Sequence, residues 1–138
     1  MKALLDTCIV SDIYRAHKTE RLRDVLRSIG EENCFISAVT LGELFNGIYL
    51  LDEGKKKRDL LHWVEQFETK YTNRVCPINA DVAKTWGELT AKGKKAGKTI
   101  PIADGLIAAT ALSQGFHVVT ENVKDFEPTG VQVINPYA

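Results

Sequence analysis

Asp6, Glu43 and Asp104 are the residues whose type and setting best suit chemistry in this chain. Asp6 directly follows the short apolar run Ala3-Leu4-Leu5, and Glu43 falls in the first turns of the helical stretch after Cys34-Phe35-Ile36. Asp104 opens a helix within the stretch Ile100 to Thr110, which is otherwise largely apolar and small-sided. In an open parallel sheet, ligands bind beyond the carboxyl ends of the strands, so polar residues placed just after apolar runs are the informative ones. Thr120 and Asn122, after Val118-Val119, meet the same condition. Carboxylates gathered at one sheet edge repel one another, and a divalent cation relieves that repulsion. Oxygen ligands without histidine or thiolate partners select Mg²⁺ or Mn²⁺ over zinc.

Each acid also has a purely structural explanation. Asp6-Thr7 could end a strand and cap the next helix. Thr40-x-x-Glu43 matches a capping box, in which the glutamate returns to a backbone N–H. Asp104 could be a first-turn acid that gains only from the helix dipole. Convergence on one edge is what favours a shared site. Other chemistries find less support. His17, His62 and His117 lack ligand spacing, no Gly-rich phosphate loop is present, and no Ser-His-Asp or Cys-His arrangement stands out. Cys8, Cys34 and Cys76 are odd in number, without a C-x-x-C pair, and read as reduced packing thiols.

The elements that must position these acids are legible from periodicity. Ala3-Leu4-Leu5, Cys34-Phe35-Ile36, Val118-Val119 and Val131 to Ile134 read as buried strands, with Val75 to Ile78 weakened by Pro77. Leu60, Val64, Phe67 and Tyr71 form a helical stripe opposite a charged face. Asn79 is placed to cap the helix carrying Val82, Ala83, Trp86 and Leu89, and Gly115 to end the one carrying Ile107, Ala108, Ala111 and Leu112. Strands and helices alternate from end to end, which predicts an α/β three-layer sandwich: a parallel central sheet with helices on both faces. At 138 residues, with no linker or repeat, a single domain spanning 1–138 is expected. Eighteen basic residues balance eighteen acidic ones, so any basic binding surface must be local. Lys92, Lys94, Lys95 and Lys98 lead into the Asp104 stretch and are the preferred candidates; Lys55, Lys56, Lys57 and Arg58 form a second cluster. With neither an apolar leader nor about 20 consecutive apolar residues, a cytoplasmic location without membrane attachment is expected. Leu22, Val25 and Leu26 read as core ahead of a subunit interface.

Taken together, the motifs resemble the PIN domains, and among them the VapC-type toxins of toxin–antitoxin pairs, including FitB-like members. Leu4 to Asp12 is similar to the family's opening strand and loop, Ile36 to Leu44 to its second motif, and Pro101 to Ala111, the most specific, to its third. Val119 to Phe126 and Val133 to Pro136 are similar to the closing strand, loop and tail. The resemblance implies Asp6, Glu43 and Asp104 as metal ligands, direct or through water, with a fourth group at the closing motif. Asn122 is the favoured fourth partner and Asp125 the alternative; Thr7 and Thr120 are candidate orienting donors. Glu121 stands where many relatives carry arginine.

The implied activity is metal-dependent hydrolysis of an RNA phosphodiester by an activated water. The implied partners are RNA and a VapB-type antitoxin, in a heteromer built on a homodimer. Competing expectations are a non-catalytic RNA- or protein-binding PIN-like domain and a haloacid-dehalogenase-type phosphohydrolase. The latter wants a second aspartate where Cys8 stands. A phosphorylated receiver wants paired acids after the first strand, and Asp6 has no adjacent acid.

Overall fold

A computed structural model describes residues 1–15 and 19–138, which leaves His17 outside the described residues. Its centre is β1 (Ala3–Leu5), whose three residues are all buried. A strand covered on both faces needs apolar side chains in both directions, which is why this one carries no alternation. It runs parallel to β2 (Cys34–Ser37) on one side and to β4 (His117–Val119) on the other. β3 (Val75–Cys76) and β5 (Val133–Ile134) complete a five-stranded parallel sheet in the order β3-β2-β1-β4-β5. The chain works outward from β1 through β2 to β3, then crosses back to β4 and β5. The sequence order therefore reverses between β1 and β4, and a crevice opens there at the carboxyl ends.

Helices cover both faces, as the alternation predicts. Side chains from α1 (Thr7–Tyr14), α2 (Thr19–Ile29) and α4 (Lys55–Lys70) pack on Ala3, Leu5, Ile36 and Val119. On the other face, α5 (Ala80–Lys95), α6 (Ile102–Gln114) and α7 (Val123–Phe126) pack on Leu4 and Val118. α3 (Ala38–Tyr49) follows β2. The predicted punctuation holds: Asn79 accepts from Val82 N at 3.0 Å, and Gly115 ends α6 in the left-handed region. Leu22 is buried, with Val25 and Leu26 packed against the same core.

Two strands are shorter than the residue pattern suggests. β3 stops at Cys76 because Pro77 has no N–H to continue the ladder. β5 starts at Val133, since Val131 N instead bonds to Thr129 Oγ1 at 3.3 Å in the preceding turn.

The start of α6 is fixed by close packing against α5. A Cβ on Gly105 would lie 3.1 Å from the Trp86 ring and 3.3 Å from Ile100 Cγ2, so the small residue lets the two helices meet beside Asp104. Gly105→Val is expected to destabilise the fold by about 1–3 kcal/mol through overpacking. Urea unfolding checks this; an unchanged midpoint would show that the α5–α6 contact is not tight.

Candidate active site

The crevice between β1 and β4 is built around Asp6. Its backbone extends β1 by one residue, Asp6 N donating to Val119 O at 3.0 Å, and its side chain is buried. Oδ1 accepts from Thr7 N at 2.8 Å, so the capping reading is correct as far as it goes. Oδ2 faces the neighbouring strand, where Thr120 Oγ1 donates to it at 2.7 Å. Thr120 Oγ1 in turn accepts from Asn122 N at 3.0 Å, and Thr120 N donates to Ile134 O at 3.0 Å. One hydroxyl thus ties the β4 exit loop to the end of β1.

Cys8 is more than packing. Its Sγ lies 3.4 Å from Asp6 Oδ2 and 3.5 Å from Thr120 Oγ1, within the same cradle. Burial, and then the Asp6 charge, push this thiol up to about 11, which leaves it protonated and unsuited to nucleophilic attack at neutral pH. Cys34 and Cys76 are buried free thiols.

Glu43 does not form a capping box. The cap of α3 is Ser37, whose Oγ accepts from Val39 N at 3.1 Å, and Thr40 is three residues inside the helix with its side chain buried. Released from that role, Glu43 accepts from Thr7 Oγ1 at 2.5 Å across the gap between α3 and α1. Thr7 Oγ1 also lies 3.2 Å from Thr40 Oγ1. The Thr7 backbone and hydroxyl therefore serve Asp6 and Glu43 respectively.

Asp104 sits in the first turn of α6, as expected. Its carboxyl is pushed up to about 6 by burial, then by the charges of Asp6, Asp125 and Glu43 in that order. Three acids distant from Asp104 in sequence thus lie within electrostatic reach of it. Asp125 contributes to this field ahead of Glu43, whereas Asn122 contributes its backbone N–H to Thr120 and its side chain is exposed. Among the described residues, no group of three or more His, Cys, Asp and Glu side chains could hold a metal ion as it stands. The acids form a field of negative charge rather than a closed cage.

The cationic candidates separate in space. Lys92, Lys94, Lys95 and Lys98 are exposed at the end of α5 and in the loop before α6, with Lys92 paired to Glu88 at 3.5 Å. In the second cluster, Lys55 is tied to Asp59 at 2.7 Å and Lys57 to Glu53 at 2.6 Å. Lys56, between them, lines a cleft shared with Glu43 and Thr7. The sequence favours the first cluster because the chain leads from it to Asp104; tertiary structure instead brings Lys56 of the second beside Glu43 and Thr7. His62 is exposed on α4 and His117 lies half-buried in β4.

A family model described as the PIN domain matches residues 3–129. The chain belongs to the PIN domain family. It is 36% identical to toxin FitB of Neisseria gonorrhoeae over 97% of both chains. It is 32% identical to a VapC ribonuclease of Sinorhizobium fredii, covering 97% of this chain and 96% of the relative. The crystal structure of FitAcB from Neisseria gonorrhoeae superposes with a TM-score of 0.89 at 36% identity, covering 98% of each chain. The PIN match over residues 3–129 sets aside the haloacid-dehalogenase alternative.

The Asp104 shift has a consequence for stability. Below about pH 4 the carboxyl is protonated folded or unfolded; between there and about pH 6 the folded form holds its proton longer, so stability falls as pH rises. In EDTA, Asp104→Asn is expected to stabilise the protein above pH 6 by about 1 kcal/mol, after screening at a partly exposed site, and by almost nothing at pH 4. Denaturant unfolding at the two pH values measures this. A variant less stable than wild type at pH 7.5 would contradict it.

Proposed function

We propose that this chain is a metal-dependent endoribonuclease acting as the toxin of a VapBC-type toxin–antitoxin pair. The observation that carries the proposal is the gathering of acids at the sheet crevice, where Thr7 bonds both Asp6 and Glu43 and the charges of Asp6, Asp125 and Glu43 reach Asp104. A carboxyl held among three other acids suits a cation, and an all-oxygen donor set suits Mg²⁺ or Mn²⁺. In this reading Asp6, Glu43 and Asp104 hold the ion, directly or through water. Asp125 replaces Asn122 as the fourth group because its charge reaches Asp104. A bound ion supplies Lewis acidity to a phosphoryl oxygen and lowers the pKa of water.

The chain's own residues supply orientation. Thr120 and the Thr7 N–H fix both oxygens of Asp6, and the Thr7 hydroxyl fixes Glu43. The Asp104 carboxyl, pushed up to about 6 by burial and the neighbouring acids, is the one whose charge a bound cation would favour. The names of relatives called VapC ribonucleases support RNA as substrate, and the name of toxin FitB supports the toxin role. Solved neighbours at 26–36% identity are FitAB and VapBC complexes, some with DNA, which supports an antitoxin partner for this chain too. Homodimerisation belongs to the same proposal. No helix among the described residues is long and apolar enough to cross a membrane.

The purified protein is expected to cleave RNA with Mg²⁺ or Mn²⁺ and to stop in EDTA. Asp104→Asn should reduce cleavage at least about a hundredfold while leaving the circular dichroism spectrum unchanged. Undiminished cleavage in EDTA, or by Asp104→Asn, would overturn the reading. A wild type inert on all RNA would favour the non-catalytic binding domain.

A further inference from the structure

The acids of the crevice are held in different ways. Asp6 is fixed by the Thr7 N–H and the Thr120 hydroxyl, and Glu43 by the Thr7 hydroxyl. Asp104 has no such donor among the described residues, so its place is set by the backbone that carries it. That backbone is the first turn of α6, which starts after Pro101 without a side-chain cap and closes through Gly105 N to Pro101 O at 2.9 Å. Local bonding makes the turn; it does not fix where the turn stands.

Packing fixes it. Ile100, buried just ahead of the turn, is wedged between two glycines: a Cβ on Gly93 of α5 would lie 3.0 Å from its Cδ1, and one on Gly105 would lie 3.3 Å from its Cγ2. The same Gly105 Cβ would lie 3.1 Å from both Cδ1 and Nε1 of Trp86 on α5. Contacts this close stop α6 from approaching α5 further, while Ile107 and Ala108, buried in the core that Trp86 packs against, keep it from drawing away.

We propose that Trp86 and Ile100 are positioning residues for the metal site: their contact with Gly105 sets where Asp104 stands across the crevice from Asp6 and Glu43. The inference rests on the metal-dependent reading of the site and assigns a part in it to α5, which carries none of the acids. A dense interior transmits displacement, so a methyl group added at Gly105 must move the Trp86 ring or the first turn of α6 by a few tenths of an ångström, and Asp104 moves with the turn. Residues that orient a metal ligand without touching the ion typically change metal affinity or activity about 10–100-fold when altered.

Mn²⁺ binding to the purified chain, read from the loss of the free-ion electron paramagnetic resonance signal, tests this apart from catalysis. Gly105→Ala is expected to bind Mn²⁺ about tenfold more weakly, with an unchanged circular dichroism spectrum. Trp86→Leu removes the ring from the other helix and is expected to weaken binding about threefold. In the double variant the new methyl enters the space the ring leaves, and binding should return to within about twofold of wild type. In RNA cleavage the two single variants should lower kcat and leave KM unchanged. A packing role alone would lower the urea midpoint without moving Mn²⁺ affinity, so wild-type affinity in both single variants would overturn the proposal, as would a double variant no tighter than Gly105→Ala. If Gly105→Ala does not fold, Trp86→Leu decides by itself: wild-type affinity overturns the proposal and weakened affinity supports it. Mn²⁺ affinities in the expected order with a wild type that cuts no RNA would leave the positioning assignment in place and remove the ribonuclease reading. A wild type that binds no Mn²⁺ would overturn both the assignment and the metal site.

Discussion

Asp6 is 4% exposed, and a carboxylate taken that far from water is costly unless donors replace its hydration. The Thr7 N–H and the Thr120 hydroxyl do so from the two sides of the crevice, with the Cys8 thiol close by. That requirement makes β1, α1 and the β4 exit mutually dependent: the acid at the end of one strand is satisfied only when the neighbouring strand ends at Thr120. Asn122 N, bonded to the same hydroxyl, extends the dependence to the loop that carries Asp125. The tail joins from the other direction, since Tyr137 Oη donates to Asp12 Oδ2 at 2.7 Å and so ties the last residues to α1. The parallel register β2-β1-β4 is thus coupled to the geometry of the site.

The sandwich was readable because its signals are local. Unbroken apolar strands, the Asn79 cap and the Gly115 terminus each depend on a few consecutive residues, and their alternation dictates the layers. The acids at the crevice were readable for the same reason, as each adjoins an element end. Pairings between elements were not. Thr40-x-x-Glu43 has the pattern of a capping box, yet Ser37 caps the helix and Glu43 finds its partner 36 residues away in Thr7. Cys8 looked like packing until β4 brought Thr120 beside it. Lys56 lay in the less favoured cluster because nothing in its neighbourhood shows that α4 crosses α1 and α3. Asp125 and Asn122 are close in sequence, and only the turn of α7 separates the one whose charge reaches Asp104 from the one whose backbone serves Thr120.

The same field of charge that suits the site for catalysis works against the metal-free fold. Burial and three nearby acids raise the carboxyl of Asp104, so at neutral pH the folded chain bears repulsion that the unfolded chain escapes. The surrounding core, with Gly105 and Trp86 in tight contact beside Asp104, holds the acid in place against it. Strain of this kind, concentrated at functional groups and offset elsewhere, is a common signature of active sites.

The central claim is that a divalent cation relieves this repulsion, and thermal unfolding against Mn²⁺ concentration at pH 7.5 measures it directly. A ligand that binds only the folded state stabilises it by about 2.7 kcal/mol at a hundred times its Kd. The account predicts that the wild-type midpoint climbs with Mn²⁺, while Asp104→Asn starts higher and stays nearly level. A wild-type midpoint insensitive to Mn²⁺, or an equal rise in both proteins, would contradict it.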